Sequence, residues 1–156
     1  MAIKIETAQK YYCLEPERLI KIAEQIGFKL INKFSEVDEY FTDIKGSFIK
    51  DRTCLRIRKN DIGKMEITFK GKSDSLIGQY CKFENNISAD MDQYDNYVSL
   101  FSSLGYYSYV EVIKNRIVYK LDNNKYSYSI RIDNVDMIGG FVEFEVQSLK
   151  NDVGRE

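Results

Sequence analysis

Apolar and polar residues alternate with a period of two along most of this chain, as they do in strands that bury one face. The pattern predicts eight strands, over 3–12, 28–41, 53–59, 64–71, 80–87, 106–120, 126–133 and 140–147. Turn-forming runs separate several of them: Asn60-Asp61-Ile62-Gly63, Asp122-Asn123-Asn124 and Ile138-Gly139-Gly140. Two segments change to helical spacing. From Pro16, suited to a first helical position, Leu19, Ile22, Ala23 and Ile26 share a face and Gly27 ends it. From Asp90, an expected cap, Tyr94, Tyr97, Val98, Phe101 and Leu104 repeat the arrangement and Gly105 ends it. Those two endings lie half a chain apart, which predicts two topologically similar halves. Short connections favour antiparallel neighbours, so the expected class is an α+β fold dominated by β structure.

The polar positions of these strands are rich in charge, and the charges share faces. Glu6 aligns with Lys10, Arg56 with Arg58, Lys82 with Glu84 and Asn86, Lys114 with Arg116, Arg131 with Asp133, and Glu143 with Glu145. Lys70 lies opposite Ile67 and Phe69. An open antiparallel sheet with one solvated face is one explanation. The other, which we favour because solvated strand faces usually mix Ser, Thr and Gln among their charges, is an eight-stranded antiparallel closed tunnel barrel with flanking helices and a charged interior. On that face Lys10, Arg56, Arg58, Lys70, Lys82, Lys114, Arg116 and Arg131 outnumber Glu6, Glu84, Asp133, Glu143 and Glu145. A buried positive excess needs an anion, because each desolvated ion costs several kcal/mol. A polyphosphate suits such a face, with guanidinium forks on its oxygens and a divalent metal bridging phosphate and carboxylates. Acidic oxygen ligands alone favour Mg²⁺ or Mn²⁺.

Composition narrows the chemistry further. The 156 residues are 44% hydrophobic and 30% charged, enough for one globular domain spanning 1–156. There is no histidine, which removes Ser-His-Asp and Cys-His triads and imidazole ligands. Cys13, Cys54 and Cys81 form neither a disulfide framework nor a zinc pattern and read as core thiols. The net charge of −1 gives no overall pull toward nucleic acid or an anionic membrane, so neither is expected as a partner. The opening segment lacks the apolar run of a signal peptide and no stretch reaches the length of a membrane span, which predicts a cytoplasmic protein. The tyrosines at 106, 107, 109, 126 and 128 suit strands by propensity and define no base pocket.

The order of short motifs resembles the CYTH family, the triphosphate tunnel metalloenzymes, over about residues 3–147. Glu6-Thr7-Ala8-Gln9-Lys10 is similar to its opening Glu-x-Glu-x-Lys, and Val37-Asp38-Glu39-Tyr40-Phe41 to its Asp-x-Tyr-Phe. Cys54-Leu55-Arg56-Ile57-Arg58, Ile67-Thr68-Phe69-Lys70-Gly71 and Lys82-Phe83-Glu84-Asn85-Asn86 resemble its Ala-Leu-Arg-Ile-Arg, Leu-Thr-Tyr-Lys-Gly and Arg-x-Glu-x-Glu. Val112 to Arg116 resembles Val-x-Lys-x-Arg, and Asp133-Asn134-Val135 with Gly140 to Glu145 resembles the closing Asp-x-Val and Gly-x-Phe-x-Glu-x-Glu.

The resemblance implies metal-dependent phosphoryl chemistry on a nucleoside or other organic triphosphate. The class IV adenylate cyclase branch, which converts ATP to cyclic AMP and pyrophosphate, is closest in local spacing; triphosphate hydrolysis is the other reaction of the family. It implies phosphate binding by Lys10, Arg56, Arg58, Lys70, Lys82, Lys114, Arg116 and Arg131. The implied ligands of Mg²⁺ or Mn²⁺ are Glu6, Glu84, Glu143 and Glu145, with Asp133 as a further ligand or the partner of a basic residue, and the implied catalytic residues are Lys10, Lys70, Glu143 and Glu145. A homodimer is the candidate assembly. Three departures stand out: Ala8 and Asn86 replace glutamates, and Lys82 replaces an arginine. They keep open a second function, a catalytically weakened domain that binds or sequesters a phosphorylated nucleotide. A sheet that binds single-stranded nucleic acid ranks last.

Overall fold

The computed structural model describes residues 6–73 and 82–148, the side chains of 6, 7, 73, 82, 83 and 148 excepted. The expected strand starts at 3–5 and 80–81 and Cys81 therefore lie outside the described residues. In chain order the elements are β1 (Glu6–Tyr12), α1 (Pro16–Gln25), β2 (Lys29–Asp43), α2 (Ser47–Lys50), β3 (Cys54–Asn60), β4 (Met65–Ser73) and β5 (Lys82–Ala89). A 3₁₀ turn (Met91–Gln93), α3 (Tyr94–Ser103), β6 (Tyr106–Asp122), β7 (Tyr126–Val135) and β8 (Gly139–Ser148) follow. The period-two segments all become strands, and both long helices stop before glycines with positive φ, +102° at Gly27 and +87° at Gly105. There a Cβ would be strained. Asp90 precedes the 3₁₀ turn and makes no side-chain cap bond.

The strands form one eight-stranded sheet in the order β1-β8-β7-β6-β2-β3-β4-β5. The ladders of β1 with β8, β8 with β7, β7 with β6, β2 with β3, β3 with β4 and β4 with β5 are antiparallel. This is the eight-stranded antiparallel sheet with flanking helices expected from the sequence, and among the described residues its order runs from β1 to β5 with no ladder joining those two strands. Closure needs a ladder joining the first strand of the order to the last. No helix among the described residues is long and apolar enough to cross a membrane.

The element order repeats as expected, strand, helix and three further strands, in β1-α1-β2-β3-β4 and again in β5-α3-β6-β7-β8, while by contacts the chain packs as two compact units, one comprising 1–34 and 114–156, the other 35–113. The reason lies in the ladder of β1 with the last strand, β8, which draws both ends of the sequence into one unit. In this terminal unit Ala23 of α1 packs with Tyr119, Ile130, Ile132 and Val142, flanked by Leu19, Ile20, Phe28 and Ile117. In the central unit Phe101 of α3 packs with Phe41, Ile57, Met65 and Ile67. Phe41 and Phe101 meet edge to face with ring centroids 5.1 Å apart. On this side of β2 the buried carboxylate of Glu39 accepts a 2.6 Å hydrogen bond from Tyr94 Oη. Burial first, and then that carboxylate, pushes the Tyr94 phenol well above its ordinary value.

One backbone approach fixes the start of β8. The Cys13 amide donates to the Gly140 carbonyl at 2.9 Å, and a Cβ built on Gly140 would stand 2.4 Å from the Cys13 carbonyl oxygen. Gly140→Ala therefore forces β8 away from the chain that follows β1. We expect a loss of about 1–3 kcal/mol, the cost of overpacking, read as a lower midpoint in urea unfolding.

Candidate functional site

In the central unit the polar face of the sheet is assembled by register. Asp38 of β2 stands opposite Arg58 of β3, which stands opposite Glu66 of β4. One step along, Tyr40, Arg56, Thr68 and Asn86 form the next row. Arg58 is locked side-on to Asp38, Nε to Oδ1 at 2.6 Å and Nη2 to Oδ2 at 2.8 Å, with Glu36 at 3.4 Å. Burial alone would disfavour its charge, but Asp38 and Glu36 outweigh that and raise its pKa. Arg56 is held differently. Its side chain is 8% exposed, yet its nearest recorded carboxylate oxygens, on Asp38 and Glu66, are 3.7 and 3.9 Å away. Its Nη2 donates to Thr68 Oγ1 at 3.2 Å, and its Nε is buried without a hydrogen-bond partner. Such an orphaned charged donor is costly. Thr68 passes its own proton on to Asn86 Oδ1 at 2.8 Å. Lys70 pairs with Glu84 at 3.1 Å, and Glu84 also accepts from Asn86 Nδ2 at 3.1 Å. Burial tends to raise the Glu84 pKa, but these two donors bring it below the ordinary range.

In the terminal unit the polar face carries a second set. Arg116 of β6 is buried and bidentate to buried Asp133 of β7, with both contacts at 2.7 Å. Burial works to raise the Asp133 pKa, but the Arg116 hydrogen bonds, with the charges of Arg116, Lys114 and Lys10, hold it below the usual range. Across β1, β8 and β7 the register sets Lys10, Glu143 and Arg131 in one row, and Ala8, Glu145 and Ser129 in the next. Arg131 Nη1 reaches Glu143 Oε1 at 3.0 Å and also touches Glu145 Oε2. Gln147 Nε2 donates to Glu145 at 2.9 Å. Lys10 is exposed, its Nζ 5.3 Å from the centroid of the Phe141 ring.

The CYTH domain model matches residues 5–153. The chain belongs to the CYTH family. It is 28% identical over 141 residues, 90% of this chain and 76% of the relative, to the Methanocaldococcus jannaschii protein named "Putative adenylate cyclase MJ0240". Among solved structures, the PH1819 protein of Pyrococcus horikoshii is 24% identical with a TM-score of 0.70, over 96% of this chain and 80% of that one. The Hippeastrum protein HpAC1, in which a triphosphatase activity is dominant, is 14% identical with a TM-score of 0.70, over 94% and 80%. These two structures show that the fold is shared.

Of the residues singled out in the sequence of this CYTH chain, the central unit brings together Arg56, Arg58, Lys70 and Glu84. The terminal unit brings together Lys10, Lys114, Arg116, Arg131, Asp133, Glu143 and Glu145. Glu6 and Lys82 stand in β1 and β5, and their side chains lie outside the described residues. Sequence reasoning missed Glu36 and Asp38, buried at 4% and 1% exposure, while Glu66, which alternates in phase with Lys70, is compatible in sequence with either the interior or a salt bridge at the rim. With them on the face, the central unit's described carboxylates outnumber its described cations, so the expected general excess of positive charge does not hold there. Among the described side chains of this face, the Arg56 guanidinium has an unpartnered Nε and only long contacts with carboxylates. The signal for the acids was in the sequence: Glu36, Asp38, Tyr40 and Thr42 alternate in phase, and three of the four are buried.

Four of the five implied metal ligands have internal partners, and the side chain of the fifth, Glu6, lies outside the described residues. Glu84 is engaged by Lys70 and Asn86, Asp133 by Arg116, and Glu143 and Glu145 by Arg131. Among the described residues no group of three Asp, Glu, Cys or His side chains has the spacing to hold a metal. This donor set, as arranged, fits the chain's own cations and not a divalent ion.

Proposed function

We propose that the protein binds the phosphate chain of a nucleoside or other organic triphosphate and carries out CYTH-type phosphoryl chemistry on it. The observation that carries this reading is Arg56: a buried guanidinium whose ion pairs with Asp38 and Glu66 are long, at 3.7 and 3.9 Å, and whose Nε has no hydrogen-bond partner, beside Thr68 and on the same face as Lys70. A phosphate oxygen supplies the acceptor that Arg56 Nε lacks, and the Lys70 ammonium adds charge against the same chain. Arg58, clamped by the Asp38 carboxylate, holds β2 and β3 in register beside Arg56.

Two reactions belong to this reading. The ribose 3′-hydroxyl of ATP attacks the α-phosphorus, the bond to the β-phosphate oxygen breaks, and cyclic AMP and pyrophosphate form, as in a class IV adenylate cyclase. Alternatively water attacks the terminal phosphorus and releases phosphate. Membership of a family that works on triphosphates supports both, and similarity to the relative from M. jannaschii supports the first. Ala8 opposite Glu145, and Asn86 hydrogen-bonded to Glu84, favour a second reading in which the domain binds the triphosphate and turns it over slowly.

A product assay separates these outcomes. The protein is incubated with ATP, thiamine triphosphate and inorganic triphosphate, each with Mn²⁺, and the products are resolved. Cyclic AMP with pyrophosphate identifies the cyclase, and released phosphate the triphosphatase. Binding with all three left intact identifies the second reading, and neither binding nor turnover refutes the proposal.

A further inference from the structure

We infer that Arg131 is the built-in cation of the Glu143 and Glu145 pair, filling the place of a divalent ion, so that this pair takes no metal while Arg131 is present. Its guanidinium meets both carboxylates at once, Glu143 at 3.0 Å and Glu145 in direct contact. Both acids project from β8 two residues apart on the face they share with Arg131, their cross-strand neighbour on β7. The pair is partly enclosed, with Glu145 only 4% exposed.

The neighbouring strand completes the argument. Glu143 lies between two cations in register, Lys10 on β1 and Arg131 on β7. Adjacent strands are roughly 5 Å apart, so a divalent ion at Glu143 meets like charge from both sides. Glu145 is opposite Ala8 on β1 and Ser129 on β7, neither of which can supply the third anionic oxygen that a hard cation needs. A guanidinium, planar and carrying five donors, is satisfied by a hydrogen bond to one carboxylate and charge contact with the other, and the pair offers both, the hydrogen bond at Glu143 and the ion pair at Glu145. The inference concerns the protein without any phosphate.

Manganese titration by calorimetry and by electron paramagnetic resonance, in phosphate-free buffer at neutral pH, tests it. Arg131→Gln removes the resident charge and leaves both carboxylates. We expect Mn²⁺ affinity to rise by about tenfold or more over the wild type, from relief of like-charge repulsion. The gain should vanish when Glu143→Gln and Glu145→Gln are added. A folded Arg131→Gln protein that binds Mn²⁺ no better than wild type overturns the inference. Should Arg131→Gln fail to fold, the wild type and Glu143→Gln decide the matter: equal Mn²⁺ binding supports the inference, and weaker binding by Glu143→Gln overturns it. Tripolyphosphate binding in EDTA, read on the same samples, keeps the two proposals apart. Its absence both in EDTA and with Mn²⁺ counts against the proposed function and leaves the manganese result to judge Arg131.

Discussion

Asp133→Asn destabilises the protein by about 3–5 kcal/mol, the usual cost of removing one partner from a buried ion pair. Asp133 is 1% exposed and Arg116 8%, so water cannot take over for the lost carboxylate. The asparagine keeps the shape and one acceptor oxygen, but the Arg116 charge stays buried without its bidentate counterion. For a chain of this length the loss lowers the thermal midpoint by roughly 10 °C. The same pair sets an acid limit. Asp133 has a lower pKa folded than unfolded, so the folded state releases the proton more readily and gains stability as pH rises. The contribution is complete above the unfolded value of about 4 and is lost as pH falls through the lower folded value. Urea unfolding at several pH values checks both statements: the wild type should lose stability on acidification below about pH 4, and the Asp133→Asn protein should lose less. Equal midpoints for the two proteins at neutral pH would remove the pair from the account.

The second large effect falls on binding. Arg56→Gln should weaken triphosphate affinity by about 100-fold, or some 2.7 kcal/mol, within the range for hydrogen bonds to charged groups. Arg56→Lys keeps the charge but not the fork and should recover part of the loss. Arg58→Gln is the contrasting variant. Because Arg58 already serves Asp38 and Glu36, its removal should show mainly as lower stability. Calorimetric titration of ATP and tripolyphosphate into each folded variant separates the two roles. An Arg56→Gln protein with wild-type affinity would make Arg56 a structural residue like Arg58.

These expectations draw on parts of the molecule that were unequally legible. Strands were readable because one-sided burial writes a period of two into the sequence, and the two long helices because Pro16, Gly27 and Gly105 mark their ends. The short helix α2 was not. Four residues are too few for a periodicity, and its start is held by side-chain bonds, Ser47 N and Oγ to the Asp43 carboxylate at 2.7 and 2.6 Å. The interleaving of the two units was hidden for a different reason. It follows from the β1–β8 ladder, a pairing between distant parts of the chain that no local pattern encodes. At the candidate site the basic residues stood out as pairs of like charge on a strand. Their partners did not, because Asp38 and Glu39 are adjacent acids that point to opposite faces, one to Arg58 and the other to Tyr94. Likewise Arg131 and the Glu143 and Glu145 pair were all visible, but only the register places a guanidinium against both carboxylates.

The most direct test of the central claim is a calorimetric titration of the folded wild type with tripolyphosphate and with ATP, with and without Mn²⁺. The account predicts saturable binding that weakens with added salt and is largely lost in Arg56→Gln. Folded protein that binds neither ligand under either condition would contradict it.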